Sequence, residues 1–286
     1  MKTVEILPEV QGLDDAAFLD SFRLAGTGPD GRFEIARSEA LFGWREISPL
    51  VRSDMDCLEI GAGAGLLAAL VARRVASVVA VEPVADGFVE GGEILTRVEA
   101  ARPDRLEFSR TTFEMYPADK TFDLIWSVNV FEHLSDWQAA LEKAYSQLKP
   151  GGQCIILCPN YSIPYEPHFS LPLFVGPKLT RQLFRRHIEA HEASRNAAGL
   201  WDSLNFIKAG QVLAFCREHS IPVSLDDDLL GRMFTRIQTE SNLRRRHGLL
   251  RQLIGFASRI RLTNLVCALP PTWHPYSGFH ITRPSD

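Results

Sequence analysis

Two stretches and a loop in this chain carry residue types at spacings that can do chemistry. The first stretch is Glu59-Ile-Gly-Ala-Gly-Ala-Gly65, with Glu82 downstream. Glycines at alternate positions let a backbone turn sharply and let a ligand pass close, because no Cβ stands in the way. Glu59 precedes them by two residues, and a carboxylate there repels a diphosphate but attracts a sulfonium or an amino group. Glu82 ends a β-branched run, where an acidic side chain is placed to accept hydrogen bonds from ribose hydroxyls. The second stretch, after an apolar run, holds Ser127, Asn129, Glu132 and His133. His133 has the residue type of a general base, and Glu132 can orient it or bind substrate; the pair can equally be architectural. The loop is Asn160-Tyr-Ser-Ile-Pro-Tyr-Glu-Pro-His168, stiffened by its prolines. It reads as an acceptor pocket wall, with Tyr161, Tyr165 and Glu166 on substrate and His168 as alternative base, or as a rigid connector. Glu132, His133, Glu166 and His168 can together bind a metal, but nothing in the spacing demands it and none is expected.

These groups need elements to hold them. Residues 57–60 form a short apolar run, glycines follow, and Leu66, Leu67, Leu70 and Val71 recur at helical spacing before the run 78–81. That is a βαβ unit, the signature of a parallel sheet. Residues 106–109 read as a third strand, 122–128 as a buried fourth and 153–157 as a fifth. Ser135 reads as a helix N-cap with Gln138 three positions on, and the helix as ending at Lys149-Pro-Gly-Gly. A helix is expected over 32–50 and another over 84–101, weakened by Gly91-Gly92. A glycine turn with no ligand, or a nicotinamide-dependent oxidoreductase, are the competing readings; the latter usually wants Gly-x-Gly-x-x-Gly, and here the spacing is Gly-x-Gly-x-Gly.

With these residues in view the chain resembles the class I S-adenosylmethionine-dependent methyltransferases, and among them the quinone-biosynthesis group. Residues 59–65 look like the first motif of that family, Thr121-Phe-Asp-Leu-Ile-Trp-Ser127 like its fourth strand, Asn129-Val-Phe-Glu-His-Leu134 like the segment after it, and Leu148-Lys-Pro-Gly-Gly152 like the turn into its fifth strand. The resemblance implies an α/β fold: a seven-stranded, mostly parallel Rossmann-like sheet flanked by helices, with helical insertions in the C-terminal half. It implies S-adenosylmethionine as cofactor and S-adenosylhomocysteine as product, held by Glu59, Gly61, Ala62, Gly63, Gly65, Glu82 and Pro83, with Ser127 and Asn129 beyond. In the family an Asp after the third strand often meets the adenine amino group; Thr112 stands at that position here, followed by Phe113, and both remain candidates. A helix is expected over 203–219, a sixth strand over 221–225 and a last strand over 278–283, by analogy the family's final hairpin.

The 286 residues are 45% hydrophobic with a formal charge of −4, which suits a globular protein and gives no reason to expect a nucleic-acid partner. Five cysteines without a Cys-x-x-Cys pair read as reduced thiols of a cytoplasmic protein. Residues 1–31 read as an acidic, partly ordered lead-in with no secretory signal, and 32–286 as one domain with insertions at about 161–200 and 231–275. Asp226, Asp227 and Asp228 read as a solvated loop. Residues 231–263 hold eight arginines against Glu240, with a stripe of Leu250, Leu253, Ile254, Ala257 and Ile260. Such a segment can lie on an anionic membrane or cover a lipid-like acceptor, or be a lid helix or an oligomer contact. The expectation is methyl transfer, most simply to oxygen, on a small-molecule, lipid-precursor or sugar acceptor. A non-catalytic cofactor-binding module acting through the basic insertion is the alternative.

Overall fold

The computed structural model of the chain describes residues 14–23, 32–83, 89–101, 104–195, 197–239 and 266–285. The central strand β1 (Asp56–Ile60) pairs in parallel with β2 (Ser77–Val81) and with β4 (Phe122–Val128), and β2 pairs in parallel with β3 (Leu106–Ser109). Cys57, Leu58, Ile60, Val78, Ala80, Leu124 and Trp126 are all buried, which is why these strands read as continuous apolar runs rather than alternating ones. The strand order is β3-β2-β1-β4-β5-β9-β8, with β5 (Leu148–Pro159), β8 (Val223–Leu225) and β9 (Tyr276–Thr282) completing seven strands. The pair β8 and β9 is antiparallel, the hairpin expected at the end of the sheet.

The chain divides into two compact units. The first takes the described residues of 1–128, 146–153 and 285; the second takes those of 129–145 and 154–284. In the first, helices α1 (Asp15–Asp20), α2 (Arg32–Ile47), α3 (Leu66–Ala72) and α4 (Val89–Ala100) accompany the strands. α1 is an ordered helix inside the expected lead-in: Asp14 caps it by accepting from the Ala17 amide at 2.7 Å, Phe18 and Leu19 are buried, and the Arg73 guanidinium covers the Phe18 ring. α4 runs through both Gly91 and Gly92, its face of Ile94, Leu95 and Val98 being buried. At the amino ends of β1 and β4, Lys149 Nζ lies 2.8 Å from both Asp56 and Asp123.

The second unit contains α5 (Trp137–Ser146), the short hairpin β6 (Tyr165–Glu166) and β7 (Leu171–Pro172), then α6 (Pro177–Leu183), α7 (Arg185–Arg195), α8 (Leu200–Ser203), α9 (Ala209–Glu218) and α10 (Leu229–Thr239). Several boundaries differ from the sequence reading. The cap of α5 is Asp136, which accepts from the Ala139 amide at 3.0 Å, and not Ser135. The Pro-Gly-Gly turn lies inside β5, because the ladder has already begun where the Phe122 amide bonds Gln147 O; a Cβ on Gly152 would meet Lys149 O at 2.8 Å. The single helix expected over 203–219 is broken, with Phe206 in the left-handed region at φ 55°. Asp226 is an ion-pair hub rather than a solvated residue: burial works against its charge, but His280 and Arg232 outweigh this and hold its carboxyl below the usual range.

Cys57, Cys154, Cys158 and Cys216 are buried free thiols, with burial first among the causes that push Cys57 up to about 12. Of the basic stretch 231–263, α10 covers the start, and residues 240–263 with their apolar stripe lie outside the described residues. No described helix is long and apolar enough to cross a membrane.

Candidate active site

The glycine turn leaves β1 with Gly61, Gly63 and Gly65 at φ values of 74°, 53° and 72°, all in the region that favours glycine. The amides of Gly61 and Ala62 both donate to Val81 O, so the turn hangs on the end of β2. The Gly63 amide donates to Glu82 Oε2 at 2.7 Å. A Cβ on Gly63 would meet no atom of the described residues within 4 Å, whereas one on Gly65 would meet Leu95 and Phe108. One glycine is therefore uncrowded by the described residues, and the other seats the turn on the helix and strand behind it.

Glu59 is buried, and burial first, then the neighbouring Glu82 charge, pushes its carboxyl up to about 8; the Trp126 indole and Ala68 amide partly oppose this. Glu59 is thus neutral near pH 7 until a cation approaches. Glu82 is raised as well, chiefly by burial, with the Gly63 amide and Arg110 opposing. Pro83 follows it at partial exposure. Ser127, near the end of β4, is fully buried, with no hydrogen-bond partner for its hydroxyl among the described residues. Thr112 is exposed and its carbonyl accepts from Met115 and Tyr116, while the Phe113 ring is buried. The Phe113 ring belongs to the core, and its carbonyl accepts from the Tyr116 amide at 3.2 Å.

In the second unit, Glu132 and His133 lie on a 3₁₀ turn, Phe131–His133, after β4. Asn205 clamps this turn: its Nδ2 donates to Phe131 O at 2.7 Å and to Leu134 O at 2.9 Å, and its own amide donates to Glu132 O. His133 Nδ1 lies 2.8 Å from Ser203 Oγ, and the Ser203 hydroxyl spends its proton on Leu200 O. His133 must therefore carry its proton on Nδ1 and present Nε2 as the lone-pair nitrogen. Burial first, then the His168 charge, lowers its pKa to about 3, so the ring is neutral.

His168 is held in the same way. Its Nδ1 lies 2.6 Å from Glu166 Oε1, and that carboxylate also accepts from the Tyr161 hydroxyl at 3.1 Å and, through Oε2, from the Phe169 amide at 2.7 Å. Burial opposes the Glu166 charge, but His168, by hydrogen bond and by charge, and the Phe169 amide outweigh it and hold the carboxyl below its ordinary value. The His133 and His168 rings stand 5.4 Å apart at 62°. Tyr165 is not brought to this cluster: strand alternation buries Glu166 and leaves the Tyr165 side chain exposed. Asn129 adopts φ 57° and accepts from the Tyr276 hydroxyl at 2.6 Å.

A family model described as a methyltransferase domain matches residues 33–221. The chain belongs to this family. It is a class I, S-adenosylmethionine-dependent methyltransferase. An uncharacterized protein of Mycobacterium tuberculosis (strain H37Rv) is 31% identical over 231 residues, which are 79% of this chain and 78% of that protein. The ubiquinone biosynthesis O-methyltransferase of Rhizobium etli (strain CIAT 652) is 30% identical over 146 residues, 51% of this chain and 56% of the relative. The crystal structure of an S-adenosylmethionine dependent methyltransferase from Mesorhizobium loti shares the fold at TM-score 0.52 and 12% identity, over 85% of this chain and 98% of that one.

The methyltransferase's first unit fits a cationic nucleoside on its own residues: a buried carboxyl ready to ionise and, among the described residues, a buried hydroxyl lacking a partner and an uncrowded glycine. Sequence reasoning missed Ser203 and Asn205, which orient the second cluster, and the aromatic shell of Phe169, Trp201 and Phe206, packed edge-on or tilted at 5.3 to 5.7 Å. The available signal was Asn205 itself, a residue type that bonds the backbone two positions on and breaks a helix, as it does at the Ile207 amide.

Proposed function

We propose that this methyltransferase acts on a hydroxyl of a small-molecule, lipid-precursor or sugar acceptor, and that Glu132, His133, Tyr161, Glu166 and His168 serve that acceptor. The observation that carries the reading is the pair of imidazoles 5.4 Å apart, each oriented at Nδ1, His133 by Ser203 and His168 by the Glu166 carboxylate, beside the buried Glu132. Polar groups buried at such density and oriented by second partners suit a polar acceptor whose proton must be drawn off.

S-adenosylmethionine supplies the electrophilic methyl when bound, and the transfer forms an O–C bond as the S–C bond breaks. For that step the chain's residues have to align and exclude water, since proximity is the larger part of the rate. In the first unit Glu59, Gly61, Ala62, Gly63, Gly65, Pro83, Ser127 and the Glu82 carboxylate take the cofactor, with Thr112 and Phe113 by the adenine; Asn129 follows at the start of the second. In the second unit Nε2 of His133, or of His168 in its neutral form, accepts the acceptor's proton, and the Glu166 carboxylate stabilises an imidazolium at His168. The rate loss expected on removing such a base is about 10²- to 10⁴-fold. Nothing favours the non-catalytic alternative.

The test is transfer of labelled methyl from S-adenosylmethionine into host extract, partitioned into organic, small aqueous, glycan and protein fractions. Label in an organic, small aqueous or glycan fraction, stable to mild base as a methyl ether is and a methyl ester is not, and lost with Glu82→Ala, is expected. Label confined to the protein fraction overturns the acceptor assignment.

A further inference from the structure

Phe206 holds a backbone conformation that its side chain disfavours. Its φ is 55°, and of the non-glycine residues in that region among those described, Asn129 is of a type that tolerates it, Ser170 and Ser220 are small, and Phe206 is bulky. Bonds on both sides impose it. The Asn205 amide donates to Glu132 O at 2.8 Å, and the Ile207 carbonyl accepts from the Tyr161 amide at 3.0 Å. The Ile207 amide donates to Asn205 Oδ1 at 2.9 Å, and the Ala209 amide to Asn160 Oδ1 at 3.0 Å. Residues 205–209 are thereby stitched to the turn after β4 and to the first residues after β5. A strained conformation imposed by so many surrounding bonds marks a place where the chain needs a side chain in one position.

The ring contacts show what that position serves. The half-buried Phe206 ring stands edge-on to the Tyr161 ring, centroids 5.1 Å apart at 71°, and is tilted on Trp201 at 5.7 Å. Aromatic pairs of this kind have a preferred geometry, so one ring fixes the other. Tyr161 is buried, and burial first, then the Glu166 charge, pushes its hydroxyl far above the ordinary range. It therefore keeps its proton and serves Glu166 as a donor, at 3.1 Å, on the same oxygen that lies 2.6 Å from His168 Nδ1. We propose that Phe206 is a positioning residue: its left-handed backbone sets its ring against Tyr161 and so keeps the Tyr161 hydroxyl on Glu166, which orients the His168 ring. A negative φ at this residue would turn the Cβ, and the ring with it, in another direction.

The role rests on the acceptor reading given above; the strained backbone does not. The test joins thermal melts to labelled methyl transfer from S-adenosylmethionine into host extract, with cofactor affinity read by calorimetry, all on the full chain. Phe206→Ala and Phe206→Gly both lack the ring, but only glycine suits a left-handed backbone, so the Gly variant should melt about 2–4 °C above the Ala variant. At an ordinary φ the order reverses. Both should lose about 10- to 10²-fold in transfer rate at saturating cofactor, with cofactor affinity within about twofold of the wild type. The unstrained Gly variant keeps the rate measurement open if the Ala variant does not fold. Phe206→Tyr, which keeps the ring, should restore most of the rate. Tyr161→Phe keeps its own ring and removes the hydroxyl that Phe206 places, so adding Phe206→Ala to it should lower the rate no more than about twofold further.

Losses that multiply in the double variant overturn the proposal, as does a lower melt for Phe206→Gly than for Phe206→Ala. Diminished transfer by Tyr161→Phe and His168→Gln, with full transfer by the ringless Phe206 variants, overturns this inference alone. Undiminished transfer by both Tyr161→Phe and His168→Gln overturns the part given to His168 in the acceptor reading, and the role of Phe206 with it.

Discussion

The Gly63 amide donates to Glu82 Oε2 at 2.7 Å, so the glycine turn after β1 and the carboxylate after β2 form one hydrogen-bonded unit. The Glu82 carboxylate does two things at once: it pins a loop that has no side chains to pin it, and it keeps a lone-pair face for hydroxyl donors.

Glu82→Ala should therefore weaken S-adenosylmethionine binding by about 10²- to 10⁴-fold, the loss of two hydrogen bonds to a charged acceptor. Calorimetry reads this directly. Unchanged affinity in a folded variant contradicts the role given to Glu82.

Glu59 makes a prediction about pH. Its folded carboxyl sits at about 8 against an ordinary 4.5, so between these values the folded chain holds a proton that the unfolded chain has lost. Stability from this group is whole below about pH 4.5 and declines as pH rises through 8. Glu59→Gln should melt higher than the wild type at pH 8 and no higher at pH 4.5. A cation restores the charge, so wild-type cofactor affinity should rise between pH 6 and 8 with proton release, and the Gln variant should lose that slope. Parallel pH profiles for the two proteins contradict the assignment.

Gly65→Ala asks a left-handed residue to carry a Cβ 2.8 Å from Leu95 Cδ1 and 2.9 Å from Phe108 Cζ. Strain and overpacking together should cost about 2–4 kcal/mol, read as a fall of several degrees in Tm. A melt within a degree of the wild type contradicts the packing described for this turn.

Asn205 is the clamp of the Glu132 and His133 turn. Asn205→Ala should cost about 1–3 kcal/mol through the carbonyls and the Ile207 amide it leaves unmatched. Asn205→Asp should be worse than Ala in thermal melts, because it sets a carboxylate against the Phe131 and Leu134 carbonyls. The reverse order contradicts the clamp.

How much of this was legible beforehand follows from the range over which each feature is encoded. The βαβ unit around residues 59–82 is written in local spacing, and third and fourth strands ended where the apolar runs did, because strands buried on both faces leave no ambiguous period. The early start of β5 was not legible: Pro-Gly-Gly signals a turn locally, and only the partner carbonyls of Lys149 and Phe122 explain why glycine is needed within a strand. The break before α9 likewise depends on Asn160 and Asn205, whose side chains replace backbone partners across the fold. In the second cluster His133, Glu166 and His168 stood out by type, but Ser203 did not, since a serine seventy residues from the histidine it orients leaves no mark on local pattern.

The central claim is methyl transfer to a hydroxyl served by the His133 and His168 pair, and its most direct test is the rate of labelled methyl transfer by His133→Asn and His168→Gln at saturating S-adenosylmethionine. The account predicts cofactor affinity within twofold of the wild type and a transfer rate lower by about 10²-fold or more in at least one of the two variants. Undiminished transfer by both variants, with the cofactor bound, would contradict it.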